Sequence, residues 1–292
     1  LLAIAPRQAD RPPLAKVFYA DNGSAGVEVA LKMAFHWFRN RGDEPRRTKF
    51  VALQNGYHGE TIGALSVGDI PLYRRVYAPL LLDVLFAPSP DAFGAVDEAD
   101  AEARALAAAD ALAAVLDAHP GEVCALILEP LVQCAGGMRM HHPAYLRRAR
   151  ALCDAHGVFL IADEIAVGFG RTGSLFACAQ APGGGIQPDL LCLSKGLTGG
   201  FLPLCAVLAT QAIYDGFLDD SRDRAFLHSH SYSGNPLACA AALASLDILE
   251  ADHVLARNVD TAAAMATLAA PFAAHPAVAE VRQTGMILAI EL

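Results

Sequence analysis

The sequence predicts an α/β fold: a mainly parallel central sheet with helices on both faces. Three observations predict it. Short apolar runs alternate with longer segments of helical periodicity, the pattern of strand–helix–strand crossovers. Several runs, such as Val123 to Leu128, are apolar at every position, which suits strands covered on both faces. The composition, 54% hydrophobic against 18% charged in 292 residues, suits a buried parallel sheet or an oligomer interface and leaves enough chain for a full core.

Each element has a local reason. Val17 to Ala20 reads as a strand, Asp21-Asn22-Gly23-Ser24 as a turn, and Ala25 to Arg41 as a helix with apolar positions at Val27, Leu31, Ala34, Phe35 and Phe38. Lys49 to Leu53 is the next strand, followed by the loop Asn55 to Gly59. Residues 87–99, with Pro88, Pro90 and Gly94, read as a surface loop. The Ala-rich stretch 100–118 is a helix stopped by Pro120 and Gly121, and Val123 to Leu128 is a strand ended by Glu129-Pro130. Pro143 to His156 is a basic amphipathic helix ended by Gly157. The runs Phe159 to Ala162, Leu190 to Leu193 and Pro203 to Thr210 are further strands. Residues 221–235 form a polar loop, and helices from Pro236 to Glu250 and on to about Phe272 follow. Val278 to Arg282 and Met286 to Glu291 read as a hairpin, so residues 1–250 are expected to form a large domain and 251–292 to begin a small C-terminal α/β domain.

Bulk properties exclude some classes of partner. Twenty-two basic against 31 acidic residues give a net charge of −9, which disfavours nucleic acid and anionic membranes and suits a soluble cytoplasmic enzyme. The seven cysteines form no CxxC pair, and several sit inside apolar runs, so a reduced compartment is expected. No apolar run approaches the roughly 20 residues of a membrane span, and no basic start followed by a long apolar block suggests a signal peptide.

The chemistry concentrates where strands end. The run Leu190 to Leu193 leads into Ser194-Lys195-Gly196, and the run Phe159 to Ala162 leads into Asp163-Glu164. A lone charge at the mouth of a buried strand is expensive unless partnered, because desolvating it costs several kcal/mol. One ligand would use both: pyridoxal phosphate takes a lysine as an imine at its aldehyde and a carboxylate at its ring nitrogen. Lys195 would then also move the proton between substrate and cofactor carbons. Gly23-Ser24 opens a helix after a strand, an arrangement that binds phosphate, although plain capping by Ser24 also explains it. Tyr57, just after a strand, can stack on a planar ring or simply pack beneath its loop. His58 reads as a surface or hydrogen-bonded histidine, and Glu164 as a partner in a structural ion pair. Arg171, in Gly170-Arg171-Thr172-Gly173, either clamps a substrate carboxylate or stays solvated. His228-Ser229-His230-Ser231-Tyr232 offers imidazoles and hydroxyls but no third ligand for a metal, and no metal site is expected.

In order and type these residues resemble the class III (ω-amino) aminotransferases of the fold-type I pyridoxal-phosphate enzymes, from about Val17 to Leu292. Asp163 to Gly173 is similar to the family signature, with Lys195 as its cofactor lysine. Asn55 to Thr61, Gln133 to Met140 and Leu193 to Gly200 narrow the resemblance to a member acting on S-adenosylmethionine and 8-amino-7-oxononanoate in biotin synthesis. Ser233 to Ala241 supports the class more than the member. The resemblance implies that Gly23 and Ser24 hold the cofactor phosphate and that Tyr57 stacks on the ring and borders the substrate. It implies that Asp163 pairs with the ring nitrogen, and that His230 and Ser231 reach the phosphate of the partner subunit in a homodimer with shared sites. Ser229 would lie beside the substrate, where the family usually has Gly. The family's chains are longer at both ends, so the aromatic residues and the arginine they contribute to the substrate pocket are not expected in this stretch. Two alternatives stay open: a class III enzyme for ornithine, acetylornithine, γ-aminobutyrate or a diamine, and a non-catalytic cofactor-binding fragment.

Overall fold

A computed structural model describes residues 1–292. Its strands are β1 (Leu14–Ala20), β2 (Lys49–Leu53), β3 (Val84–Ala87), β4 (Val123–Leu128), β5 (Val132–Gln133), β6 (Arg139–Met140), β7 (Phe159–Asp163), β8 (Leu190–Leu193), β9 (Cys205–Thr210), β10 (Glu280–Thr284) and β11 (Ile287–Glu291). Its helices are α1 (Gly23–Arg41), α2 (Ile62–Val67), α3 (Pro71–Arg74), α4 (Glu98–Ala118), α5 (Ala144–His156), α6 (Gln211–Asp215), α7 (Pro236–Ala251) and α8 (Val254–Ala269).

Seven strands form one sheet in the order β1-β9-β8-β7-β4-β2-β3. Pairings from β8 to β3 are parallel, while β9 runs antiparallel to both β8 and β1. The sheet is therefore mainly parallel, as its apolar runs predict, with a single reversed strand that those runs could not reveal. Composition alone does not mark direction in a strand buried on both faces.

The period-two alternation of side chains splits the core in two. Leu126, Leu128, Leu160 and Leu191 face one way and pack with Leu112 and Leu116 of α4 and Leu146 of α5. Ala125, Ile127, Ile161 and Cys192 face the other way and pack with Val27, Ala30 and Ala34 of α1. The close seat of α1 depends on Gly26, where an added Cβ would lie 2.1 Å from Cys205 Sγ. At the far end of β8, Asp189 is held by Arg150 at 2.7 Å and by Arg11 at 2.9 Å, so that charge is partnered away from the strand mouths.

The helix boundaries follow their capping residues. Asn22 and Asp97 accept the amides of Ala25 and Asp100, three residues on, and open α1 and α4. Gly42 and Gly157, both left-handed, close α1 and α5. The short helices α2, α3 and α6 and the strand β3 went unassigned in the sequence because pieces of four to six residues show too little periodicity. The hairpin β10–β11 forms its own two-stranded sheet, turned at Gly285-Met286.

Candidate active site

A cavity of about 870 Å³ opens at the C-terminal ends of β7 and β8, between the start of α1 and the loops after β2 and β4. Ligands of parallel α/β sheets bind at this edge. Gly23, Ser24, Tyr57, Asp163 and Lys195 all line it.

The start of α1 presents free donors to the cavity. The backbone N–H groups of Gly23 and Ser24 have no partner within the protein, and no acidic residue lies in the first helical turn. Gly23 lies close under Ile165, where a Cβ would come within 3.0 Å of that side chain. Ser24 does not cap the helix, since Asn22 does. Ser24 Oγ accepts the amides of Glu60 at 3.1 Å and Thr61 at 3.0 Å, tying the loop after β2 to the helix.

Asp163 ends β7 with only 4% of its surface exposed. His58, also buried, donates Nδ1–H to its Oδ2 at 2.7 Å, while Ile165 N–H donates to Oδ1 at 3.1 Å. The carboxylate is thus desolvated yet doubly bonded, the condition a buried charge requires. His58 Nε2 is buried with no partner. His58 is therefore a buried orienting residue, not a surface one.

Glu129, at the end of β4, is a functional candidate the sequence reading passed over. Its two oxygens accept the amides of Tyr57 at 3.0 Å and Cys134 at 3.1 Å, joining the loops on two sides of the cavity. Burial pushes its carboxyl up to about 7 against the pull of the His58 charge and those two amides. Its signal was available, since Glu129 ends an apolar strand just as Asp163 does.

Lys195 corrects one expectation. Its side chain is exposed to the cavity, so its charge needs no buried partner, and none is present. Its backbone carries the unusual feature, with φ of 45° in the left-handed region that non-glycine residues rarely adopt. Ser194 Oγ donates to Leu204 O at 2.6 Å, and Gly196 packs against Phe169 with a Cβ-equivalent gap of 2.9 Å, so both neighbours hold that bend.

Tyr57 is half-buried, and its hydroxyl donates to Glu60 Oε1 at 3.0 Å. Burial first, then that bond, pushes its pKa up to about 12. Glu164 overturns the ion-pair reading. It is fully buried with no cation, and its oxygens accept the amides of Ala177 and Cys178 at 2.7 and 2.8 Å. It organises the loop after β7 from beneath.

Four residues stand outside the cavity lining: Arg171, Ser229, His230 and Ser231. Arg171 is exposed, and its carbonyl accepts Met286 N–H at 2.9 Å. His230 Nδ1 lies 3.1 Å from Asp21 Oδ2, beside the start of α1, and its Nε2 is 3.3 Å from that of His228. Ser229 and Ser231 are exposed.

This chain belongs to the aminotransferase class-III family, whose model matches residues 1–292. Among its relatives is the adenosylmethionine-8-amino-7-oxononanoate aminotransferase of Nitratidesulfovibrio vulgaris, 46% identical over 294 residues, covering 100% of this chain and 53% of that protein. The Synechococcus elongatus enzyme of the same name is 48% identical over 281 residues, covering 96% of this chain and 63% of the relative. The crystal structure of the Methanocaldococcus jannaschii enzyme of that name superposes with a TM-score of 0.85 at 36% identity, covering 96% of this chain and 61% of that one. An amine transaminase from an uncultivated Pseudomonas species, solved in the PLP-bound form, superposes at 0.87 with 37% identity, covering 95% and 62%. The chain spans between about half and two thirds of the length of these proteins.

Proposed function

We propose that the protein is a pyridoxal-phosphate-dependent aminotransferase. In this reading it moves the amino group of S-adenosylmethionine to 8-amino-7-oxononanoate, giving 7,8-diaminononanoate for biotin synthesis. The observation that carries the reading is one cavity holding an unpaired lysine, a buried oriented carboxylate and a helix start with free amides. The names of the relatives supply the substrates. The residues fit the cofactor on the structure's own terms. Gly23 and Ser24 present two partnerless amides, Asp163 presents a carboxylate whose position His58 holds, and Lys195 lines the same cavity without a charged partner.

When bound, pyridoxal phosphate supplies a carbonyl and a ring that withdraws electrons from a substrate carbon. The chain's residues would do the rest. The amides of Gly23 and Ser24, with the α1 dipole, bind the phosphate. Asp163 would hold a proton at the cofactor's ring nitrogen, with its carboxylate oriented by His58. Tyr57 would stack on the ring and border the substrate. Lys195 Nζ would anchor the carbonyl end and, once the substrate amine has displaced it, would move a proton from the substrate carbon to the cofactor carbon.

Further parts of the reading follow from the same residues. We propose a homodimer in which His230 and Ser231 reach the partner's phosphate site and Ser229 its substrate. The apolar side chains of Leu227 and Tyr232, 78% and 75% exposed in the same segment, support it. Arg171 would face the substrate carboxylate, and residues 251–292 would open a second domain. A cytoplasmic location accords with seven unpaired cysteines, and no helix is long and apolar enough to cross a membrane.

The test is spectroscopic. Lys195→Ala should remove the visible band of the lysine-bound cofactor and abolish turnover. Adding S-adenosylmethionine to the parent should bleach that band as the amino group transfers. A purified protein that binds no pyridoxal phosphate rejects the class. A band that responds to ornithine, γ-aminobutyrate or another amine, but never to S-adenosylmethionine, rejects the substrates.

A further inference from the structure

The loop Cys134 to Met138 forms one wall of the cavity through Cys134 and Ala135. It is a tight turn, with Met138 N–H donating back to Cys134 O at 2.9 Å. Its last two residues are both left-handed, Gly137 at φ +94° and Met138 at φ +53°. A non-glycine residue in that region is held there by its surroundings.

The loop's first residue is held from inside the cavity by Glu129, and its last two from outside. Arg282, on β10, donates Nε–H to Met138 O at 2.8 Å, and its Nη2 donates to Gly137 O. Its remaining nitrogen, Nη1, donates to Glu280 at 2.7 Å and Glu291 at 2.6 Å, so carboxylates of both hairpin strands fix the guanidinium. The side chain is 11% exposed. A planar fork reaching two successive carbonyls is a geometry that lysine cannot copy. The same hairpin holds the opposite loop. Met286 N–H donates to Arg171 O, and a Cβ at Gly285 would lie 2.4 Å from the Thr172–Gly173 backbone.

We infer that Arg282 is a positioning residue: through the carbonyls of Gly137 and Met138 it sets where the Cys134–Ala135 wall stands, and the β10–β11 hairpin thereby controls the width of the substrate end of the cavity. This rests on the aminotransferase reading for its effect on substrate. The clamp itself does not depend on that reading. The predicted phosphate, ring-nitrogen and carbonyl anchors are carried by α1, β7 and the turn after β8, to none of which Arg282 hydrogen-bonds. Losing the clamp should therefore affect substrate binding and spare the cofactor.

The experiment compares the parent protein, loaded with pyridoxal phosphate, with Arg282→Met and Arg282→Lys. Two readouts are needed. The first is the labelling rate of Cys134 by a maleimide, mapped by peptide mass, with Cys239 as internal reference. Cys134 is half-buried, and its backbone N–H donates to the Glu129 carboxylate. Arg282→Met should speed its labelling about tenfold relative to Cys239, the factor expected from losing a charge-assisted hydrogen bond. The second readout separates KM from kcat. KM for the amino substrate should rise by about the same factor, with cofactor affinity within about twofold of the parent and kcat little changed. Arg282→Lys, able to reach one carbonyl, should fall between, and serves if Arg282→Met does not fold. Unchanged Cys134 labelling in a folded variant overturns the inference, as does a cofactor affinity that falls in step with KM. A parent that shows no cofactor band defeats the aminotransferase reading alone, because Cys134 labelling still reports on the clamp.

Discussion

Asp163 and His58 show how one contact settles two assignments. The 2.7 Å bond between them makes the histidine part of the carboxylate's environment and leaves the acid partnered in a dry setting. Replacing His58→Phe should weaken pyridoxal-phosphate binding by about 10- to 100-fold, because Asp163 then loses its strongest fixed donor. An absorbance titration measures it, and unchanged affinity would show that Asp163 does not rely on the ring. Glu164 offers a different test. Burial raises its carboxyl to about 7 from an ordinary 4.5, outweighing two amide bonds that pull it down. A raised folded pKa in an acid means stability present at low pH and lost as pH climbs from about 4.5 through about 7. The neutral Glu164→Gln variant does not titrate there, and its amide NH₂ sets a donor against a backbone donor at every pH. Its destabilisation relative to the parent should be largest near pH 5 and shrink by roughly 3 kcal/mol toward pH 8. Thermal melts across that range check the sign, and a penalty that grows with pH contradicts it. At this scale the sequence was informative where a charge ended an apolar strand, as at Asp163 and Lys195. It was uninformative where the site's geometry came from a hydrogen bond across 105 residues of separation, as at His58.

Among the elements, α1 does the most to shape the site, because its start faces the cavity while its length lies on the sheet. Its seat depends on Gly26, where an alanine methyl would come 2.1 Å from Cys205 Sγ. Gly26→Ala should cost about 1–3 kcal/mol by overpacking. Adding Cys205→Ala removes the sulfur and leaves a next contact of 3.4 Å, so the double variant should regain most of the loss. Denaturant melts of the four proteins in the cycle measure the coupling, and strictly additive losses would refute the packing account. The helix was legible from its apolar positions and its Asn22-Gly23-Ser24 start, because both signals are local. The antiparallel course of β9 was not, because a strand buried on both faces looks the same in either direction. The loops after β2 and β4 were visible as loops, but the Glu129 link between them was not, since it joins residues 72 apart through a side chain and a backbone amide.

At the scale of the whole molecule, the seven-stranded sheet and its cavity account for one chain, while the proposed chemistry calls for two. His230 and Ser231 stand off the cavity lining, and the apolar Leu227 and Tyr232 beside them face outward. Sedimentation should therefore give twice the mass of the chain, and Leu227→Glu should shift it toward the monomer with weaker cofactor binding. A monomeric parent with full activity would contradict the shared site. The α/β class was legible from alternation alone. The arrangement of subunits was not, because an outward-facing apolar residue in a sequence looks like any core residue.

The pairing of β1 with β9 sets residue 14 against residue 210 and residue 20 against residue 205. During ribosomal synthesis the first strand of this sheet must therefore wait, edge uncovered, until nearly two hundred further residues have emerged. A nascent chain stalled before Cys205 would carry β1 without its neighbour, and protease sensitivity confined to residues 14–20 in such a stalled complex would reveal that delay.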